Sequence, residues 1–155
     1  MSYKSLTDNL VTILKAMTRF ATADIAKGDD RILGHGKSDC VILYPGPFSI
    51  EPEGEIDQGR EDRTWIVYMD LFQRVATNPG ADWESFEVTR DDVIATLRKY
   101  PNLGQTAILI KNVGINASSA PQHVFNDKGQ GPIFIVQRLE IEIVENTTAS
   151  GGDYS

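Results

Sequence analysis

Arg31-Ile32-Leu33-Gly34-His35-Gly36-Lys37-Ser38 comes close to a phosphate-cradling loop, in which glycines let backbone amides close around phosphate oxygens and a lysine follows. Two departures argue against that chemistry. Arg31 stands where the first glycine belongs, and the strand-like run from Cys40 to Tyr44 follows where a helix N-terminus would have to face the anion. His35, Cys40 and His123 are the soft metal-ligand candidates, and they share no short spacing of the zinc-site kind. Cys40 opens an apolar strand, where a free cysteine behaves as a small buried hydrophobe rather than a nucleophile.

Carboxylates crowd one segment: Glu51, Glu53, Glu55, Asp57, Glu61 and Asp62. They could supply an acid/base pair or oxygen ligands. Asp57-Gln58-Gly59-Arg60-Glu61-Asp62, however, lacks the Asp-x-Asp-x-Asp-Gly order of a calcium loop, and a glycosidase pair needs rigid flanking elements. No residue is therefore assigned a catalytic, cofactor-binding or metal-binding role, and no cofactor is expected. The acidic segment reads instead as a solvated loop or as a loop ordered by a partner.

Ahead of it, Val41-Ile42-Leu43-Tyr44 is a short apolar run halted by Pro45-Gly46-Pro47. Arg63 to Phe72, dense in β-branched and aromatic residues, reads as its hairpin partner. The connection from Ser49 to Asp62 far exceeds the two to five residues usual for a hairpin. Leu6, Leu10, Ile13, Leu14, Met17 and Phe20 recur at steps of three and four and predict a helix from about Ser5 to Phe20. The segment from Asp24 to Ser38 reads as a winding connection, with at most a short extended piece near Arg31-Ile32-Leu33. After the turn signal Asn78-Pro79-Gly80, Asp82 can cap a second helix whose stripe, if Arg90 bridges it, is Trp83, Phe86, Val93, Ile94, Leu97 and Tyr100; Pro101 ends it. A start at Arg90, after a capping-box-like Thr89-Arg90-Asp91-Asp92, is the shorter alternative. The longer helix is preferred because the spacing runs through both halves.

Ala107 to Ile110 and Val113 to Ile115 predict a third strand region with a bulge at Gly114. In Ile133 to Val144, Leu139, Ile141 and Ile143 alternate with Arg138, Glu140 and Glu142, as a strand with one dry face requires. Ser118 to Pro132 reads as another long loop. The expected fold is α+β, a four-stranded mainly antiparallel sheet with two helices packed on one face and long inter-strand loops. Residues 1-145 would form one domain and 146-155 a flexible tail.

At 155 residues the chain suits one domain that folds without disulfide or metal. Its 41% hydrophobic and 24% charged content is that of a globular protein rather than a disordered one. A formal charge of -7 disfavours gripping nucleic acid, though an acidic wall past which nucleic acid slides remains compatible with it. One cysteine fits a reducing compartment. No apolar signal core or membrane-length run stands out, so a soluble protein made in the cytoplasm, with no membrane partner, is expected.

Taken together, the amphipathic first helix, Val41-Ile42-Leu43-Tyr44-Pro45-Gly46, Arg63-Thr64-Trp65-Ile66-Val67, Tyr100-Pro101-Asn102-Leu103-Gly104 and Gln137-Arg138-Leu139-Glu140-Ile141-Glu142-Ile143 resemble a tailed-bacteriophage tail terminator or tail-completion protein. The resemblance covers residues 1 to about 145. It implies a non-enzymatic virion protein at the head-proximal end of the tail, a hexameric ring that stops tail-tube polymerisation and offers the head-tail joining surface. Its partners would be further copies of itself, the tail tube protein and a head-tail connector or neck protein, with DNA passing through the lumen unbound. A head-tail connector of the same virion is the alternative within this class. A small cytoplasmic enzyme using the acidic loop is the alternative from another. The residues put forward for assembly contacts are Phe48, Ile50, Glu51, Glu53, Glu55, Asp57, Arg60, His123 and Phe125.

Overall fold

The computed structural model describes residues 2–20, 24–28, 39–52, 60–75, 79–100, 110–117, 119–125 and 132–148. Helix α1 spans Tyr3–Lys15, beginning ahead of the expected Ser5 because Ser2 and Ser5 form a reciprocal capping box. The Ser5 amide donates to Ser2 Oγ at 3.2 Å, and the Ser2 amide donates to Ser5 Oγ at 2.9 Å. It ends at Lys15 rather than Phe20, where the bonding tightens: the Met17 amide donates to the Leu14 carbonyl, three residues back, at 3.1 Å. Helix α2 spans Pro79–Arg98, so the longer reading of that segment is the one the chain adopts. Its buried side is Asp82, Phe86, Thr89, Val93 and Leu97, with Thr89 bridging the stripe; its hydroxyl donates to the Ser85 carbonyl at 3.1 Å.

Strands β1 (Ile25–Lys27), β2 (Asp39–Pro52), β3 (Arg60–Arg74), β4 (Ile110–Ala117), β5 (Gln122–Phe125) and β6 (Pro132–Thr148) form one sheet in the order β1-β2-β3-β6-β4, with β5 also on β6. Among the described residues the expectation of four strands is corrected to six. It is also a mixed sheet, because β1 runs parallel to β2 while the other pairs are antiparallel. The two additions have three and four residues, too few for any periodicity to show, and they lie in the segments read as winding connection and long loop.

Three further expectations change. Pro45-Gly46-Pro47 does not stop its strand: the ladder with β3 shifts register between Pro45 and Phe48 and continues to Pro52 paired with Glu61. Proline can stand there because, among the described residues, β1 pairs β2 only from Val41 to Leu43, so no described outer strand needs the N–H that Pro45 and Pro47 lack. Ser49 to Pro52 and Arg60 to Asp62, expected in the long acidic loop, are therefore strand, and residues 53–59 lie outside the described residues. The bulge expected at Gly114 lies between Ile110 and Asn112 instead, while Gly114 faces Glu142 in regular register. Asn146 to Thr148 belong to β6, paired with Asp62 to Arg60, so the sheet extends past the expected domain end at residue 145.

Alternation along the sheet puts Leu43, Met69 and Leu139 in one cross-strand row, with Val67 and Ile141 in the next row along. Together with Val41, Leu71 and Ile135, they form one buried cluster with Leu6, Leu10 and Leu14 of α1 and Phe86, Val93 and Leu97 of α2. Both helices therefore close the same face. The other face carries Cys40 and Ile42, also buried, beside Tyr44, Tyr68, Asp70 and Arg138.

Candidate assembly surface

Past its bulge, β2 carries Phe48, Ser49, Ile50 and Glu51 opposite Trp65, Thr64, Arg63 and Asp62 of β3. The bulge is anchored from α1: the Tyr3 hydroxyl donates to the Gly46 carbonyl and, at 3.1 Å, to the Pro47 carbonyl. Tyr3 meets Trp65 edge-on with ring centroids 5.1 Å apart, and Phe48 lies over Trp65 at 4.3 Å. Gly46 is required by close approach, since a Cβ there would stand 2.8 Å from the Ile66 carbonyl oxygen.

Beyond this anchor the chemistry of the strand changes. Phe48 and Ile50 are 42% and 50% exposed, on the same sheet face as Trp65. Next to them and toward the sheet's middle, Arg63 Nε donates to Glu61 Oε1 at 3.0 Å, and Glu145, opposite Arg63, is 2% exposed. Burial pushes the Glu145 carboxyl up, against the pull of Arg63. Trp65 Nε1 is buried without a hydrogen-bond partner among the described residues. The arm thus has an apolar outer edge backed by charge sequestered within.

Of the residues put forward from sequence, the described ones fall on β2, β3 and β5. Phe48, Ile50 and Glu51 stand together on β2, Glu51 exposed; Arg60 opens β3 opposite Thr148. Glu53, Glu55 and Asp57 lie outside the described residues, as do His35 and the whole glycine-rich segment 31–38. His123 and Phe125 belong to β5, across β3 and β6 from β2, where they pair with Ile135 and Pro132. The His123 ring packs on Trp83 of α2 at 4.7 Å.

No protein-family model matches this chain, and neither does any curated protein. Among the described residues no three His, Cys, Asp or Glu side chains converge as metal ligands, and no helix there is long and apolar enough to cross a membrane. Cys40 is 1% exposed.

Sequence reasoning passed over a cluster on the face away from the helices. Arg138 grips Asp70 with both ends of its guanidinium, Nε at 2.7 Å and a terminal nitrogen at 3.0 Å, and stacks over Tyr68 at 4.7 Å. The Tyr44 ring, next to Tyr68 on β2, is 5.8 Å away. The Asp70 hydrogen bonds, above all, strengthen the hold of Arg138 on its proton. The available signal was parity: Asp70 shares the register of Tyr68 and Phe72, opposite to that of Met69 and Leu71. A cleft of about 510 Å³ between the end of α1 and α2 is lined by Met17, Arg19, Asp92, Thr96 and Lys99. Its Arg19 is engaged by Asp92 at 3.0 Å and Asp39 at 3.6 Å. Through Arg19 that geometry ties α2 to β2.

Proposed function

We propose that this protein is a structural subunit of a tailed-phage virion, similar to tail terminators, that assembles into a ring capping the tail tube and presenting the surface for head joining. The observation that carries the reading is the outer edge of β2: two large apolar side chains, Phe48 and Ile50, exposed side by side on a strand anchored to the core by Tyr3. Exposed apolar residues on a well-held strand serve contact rather than turnover. The element order and short signatures described from sequence supply the class of assembly. In such a ring the carboxylates following Ile50 in sequence would face neighbouring subunits or the lumen, where their charge would keep passing DNA from adhering.

The test is direct imaging and mass measurement of the purified protein, with and without tail tubes. The expected outcome is rings of uniform stoichiometry seated on tube ends, with tube length capped in their presence. A protein that stays monomeric at every concentration and leaves tubes untouched would overturn the proposal.

A further inference from the structure

We infer that two copies of this chain pair through the outer face of α2, the two helices running antiparallel so that the acidic first half of each lies along the basic last turn of the other. The inference goes beyond the ring reading above, because a two-fold contact joins two chains or two rings and supplies none of the head-to-tail joints that close a ring.

Helix α2 buries Phe86, Val93 and Leu97 on its inner side. Opposite them a second stripe faces outward: Glu84, Val88, Asp91, Ala95 and Arg98, separated by four, three, four and three residues. That spacing keeps side chains in line along one side of a helix, the arrangement through which helices meet lengthwise. All five are exposed, as are Glu87 and Lys99 beside them. Val88 is 55% exposed, more than either Phe48 or Ile50. With Ala95 it is short enough to let a second helix axis approach to about 8–10 Å.

Charge identifies the occupant. The first half of the outward face carries Glu84, Glu87 and Asp91, while Arg98 closes the helix and Lys99 follows it. Asp91 and Asp92, nearest the middle, are engaged within the chain by Arg90 at 3.2 Å and Arg19 at 3.0 Å, so the contrast lies at the two ends. A face with that polarity complements itself when turned end for end. Glu84 and Glu87 of each copy then come beside Arg98 and Lys99 of the other, with Val88 and Ala95 between them. Parallel pairing would set acid on acid and base on base. A partner of uniform charge, nucleic acid included, would gain at one end of the stripe and lose at the other. Because exposed ion pairs contribute little each and are screened, the contact should be modest in strength and sensitive to salt.

The test reverses one end at a time in the full chain: Glu84→Lys with Glu87→Lys, and separately Arg98→Glu with Lys99→Glu, all at exposed positions. Unfolding curves establish that each variant is folded, and masses are measured over a dilution series at low and high salt. The parent protein is expected to double its mass as concentration rises, from chain to pair or from ring to paired rings, and to come apart in salt. Each variant carries one sign at both ends and should need at least about tenfold more protein to pair. Mixing the two variants should restore pairing, since each then meets the opposite sign at both ends. Pairing untouched by either reversal, or variants that stay apart when mixed, would overturn the contact. A parent protein that never doubles would do the same: single rings that never pair would remove the contact and leave the ring reading intact. Pairs of chains without rings would support the contact and count against that reading.

Discussion

Two cross-strand rows of the same sheet face differ in almost everything but backbone. Leu43, Met69 and Leu139 are sealed under both helices, while Ile50, Arg63 and Glu145, at the same parity further along the same three strands, combine a half-exposed apolar residue with a partly buried arginine and a buried carboxyl. Strand pairing alone therefore does not decide what is core. The first row contributes free energy by removing apolar surface from water, and the second holds a surface in shape. Tyr3 marks the boundary between them, with its ring on Trp65 and its hydroxyl on the bulge.

Truncating the first row should have the largest effect. Leu139→Ala, at a site with no exposed surface, is expected to cost about 2–5 kcal/mol in denaturant unfolding, because the packed neighbours cannot fully close the space. Gly46→Val comes next. Its Cβ meets backbone and the Ile66 side chain below 3 Å, so the register shift must distort; a loss of about 1–3 kcal/mol is expected, with Trp65 fluorescence reporting loosened contact with Tyr3 and Phe48. A penalty confined to the core row and absent at Gly46 would show that the arm is held independently of α1.

A smaller effect should appear as a pH dependence of the second row. The Glu145 carboxyl is raised above its ordinary 4.5, chiefly by burial, so the folded protein holds that proton more tightly than the unfolded chain. More protons bound in the native state means stability falls as pH rises from about 4.5 through the raised native value. Glu145→Gln removes that slope. Unfolding curves at a series of pH values should show the variant gaining on the parent protein as pH climbs; parallel curves would mean that Arg63 fully offsets the burial.

What was legible in the chain divides along the same boundary. Leu6, Leu10, Ile13 and Leu14, and the alternation of Leu139, Ile141 and Ile143, announced the core because burial there follows helical or strand period. The arm was misread because proline is a local signal: Pro45-Gly46-Pro47 ends a strand inside a sheet but not on an open edge, and edge position is a tertiary fact. Carboxylates at Glu51, Glu61 and Asp62 likewise looked like loop, yet all three stand in a paired ladder. The grip of Arg138 on Asp70 depends on a register between strands 68 residues apart in sequence, which no local pattern records.

Ile50→Ser sharpens the contrast from its other side. The side chain is half exposed in the single chain, so its loss should shift folding stability by no more than about 0.5 kcal/mol, the range of ordinary surface substitutions. Assembly should respond far more, since a residue covered only when copies meet contributes its apolar burial to the joint alone, roughly 1.5–3 kcal/mol per contact, and a closed ring repeats that contact at every interface. Mass measurement over a dilution series should then show the variant dissociating at concentrations where the parent protein stays intact. Equal stability with equal assembly would separate Ile50 from the joint and leave Phe48, stacked on Trp65, as part of the arm's own packing; lowered stability with unchanged assembly would move the boundary between core and contact surface out past Ile50.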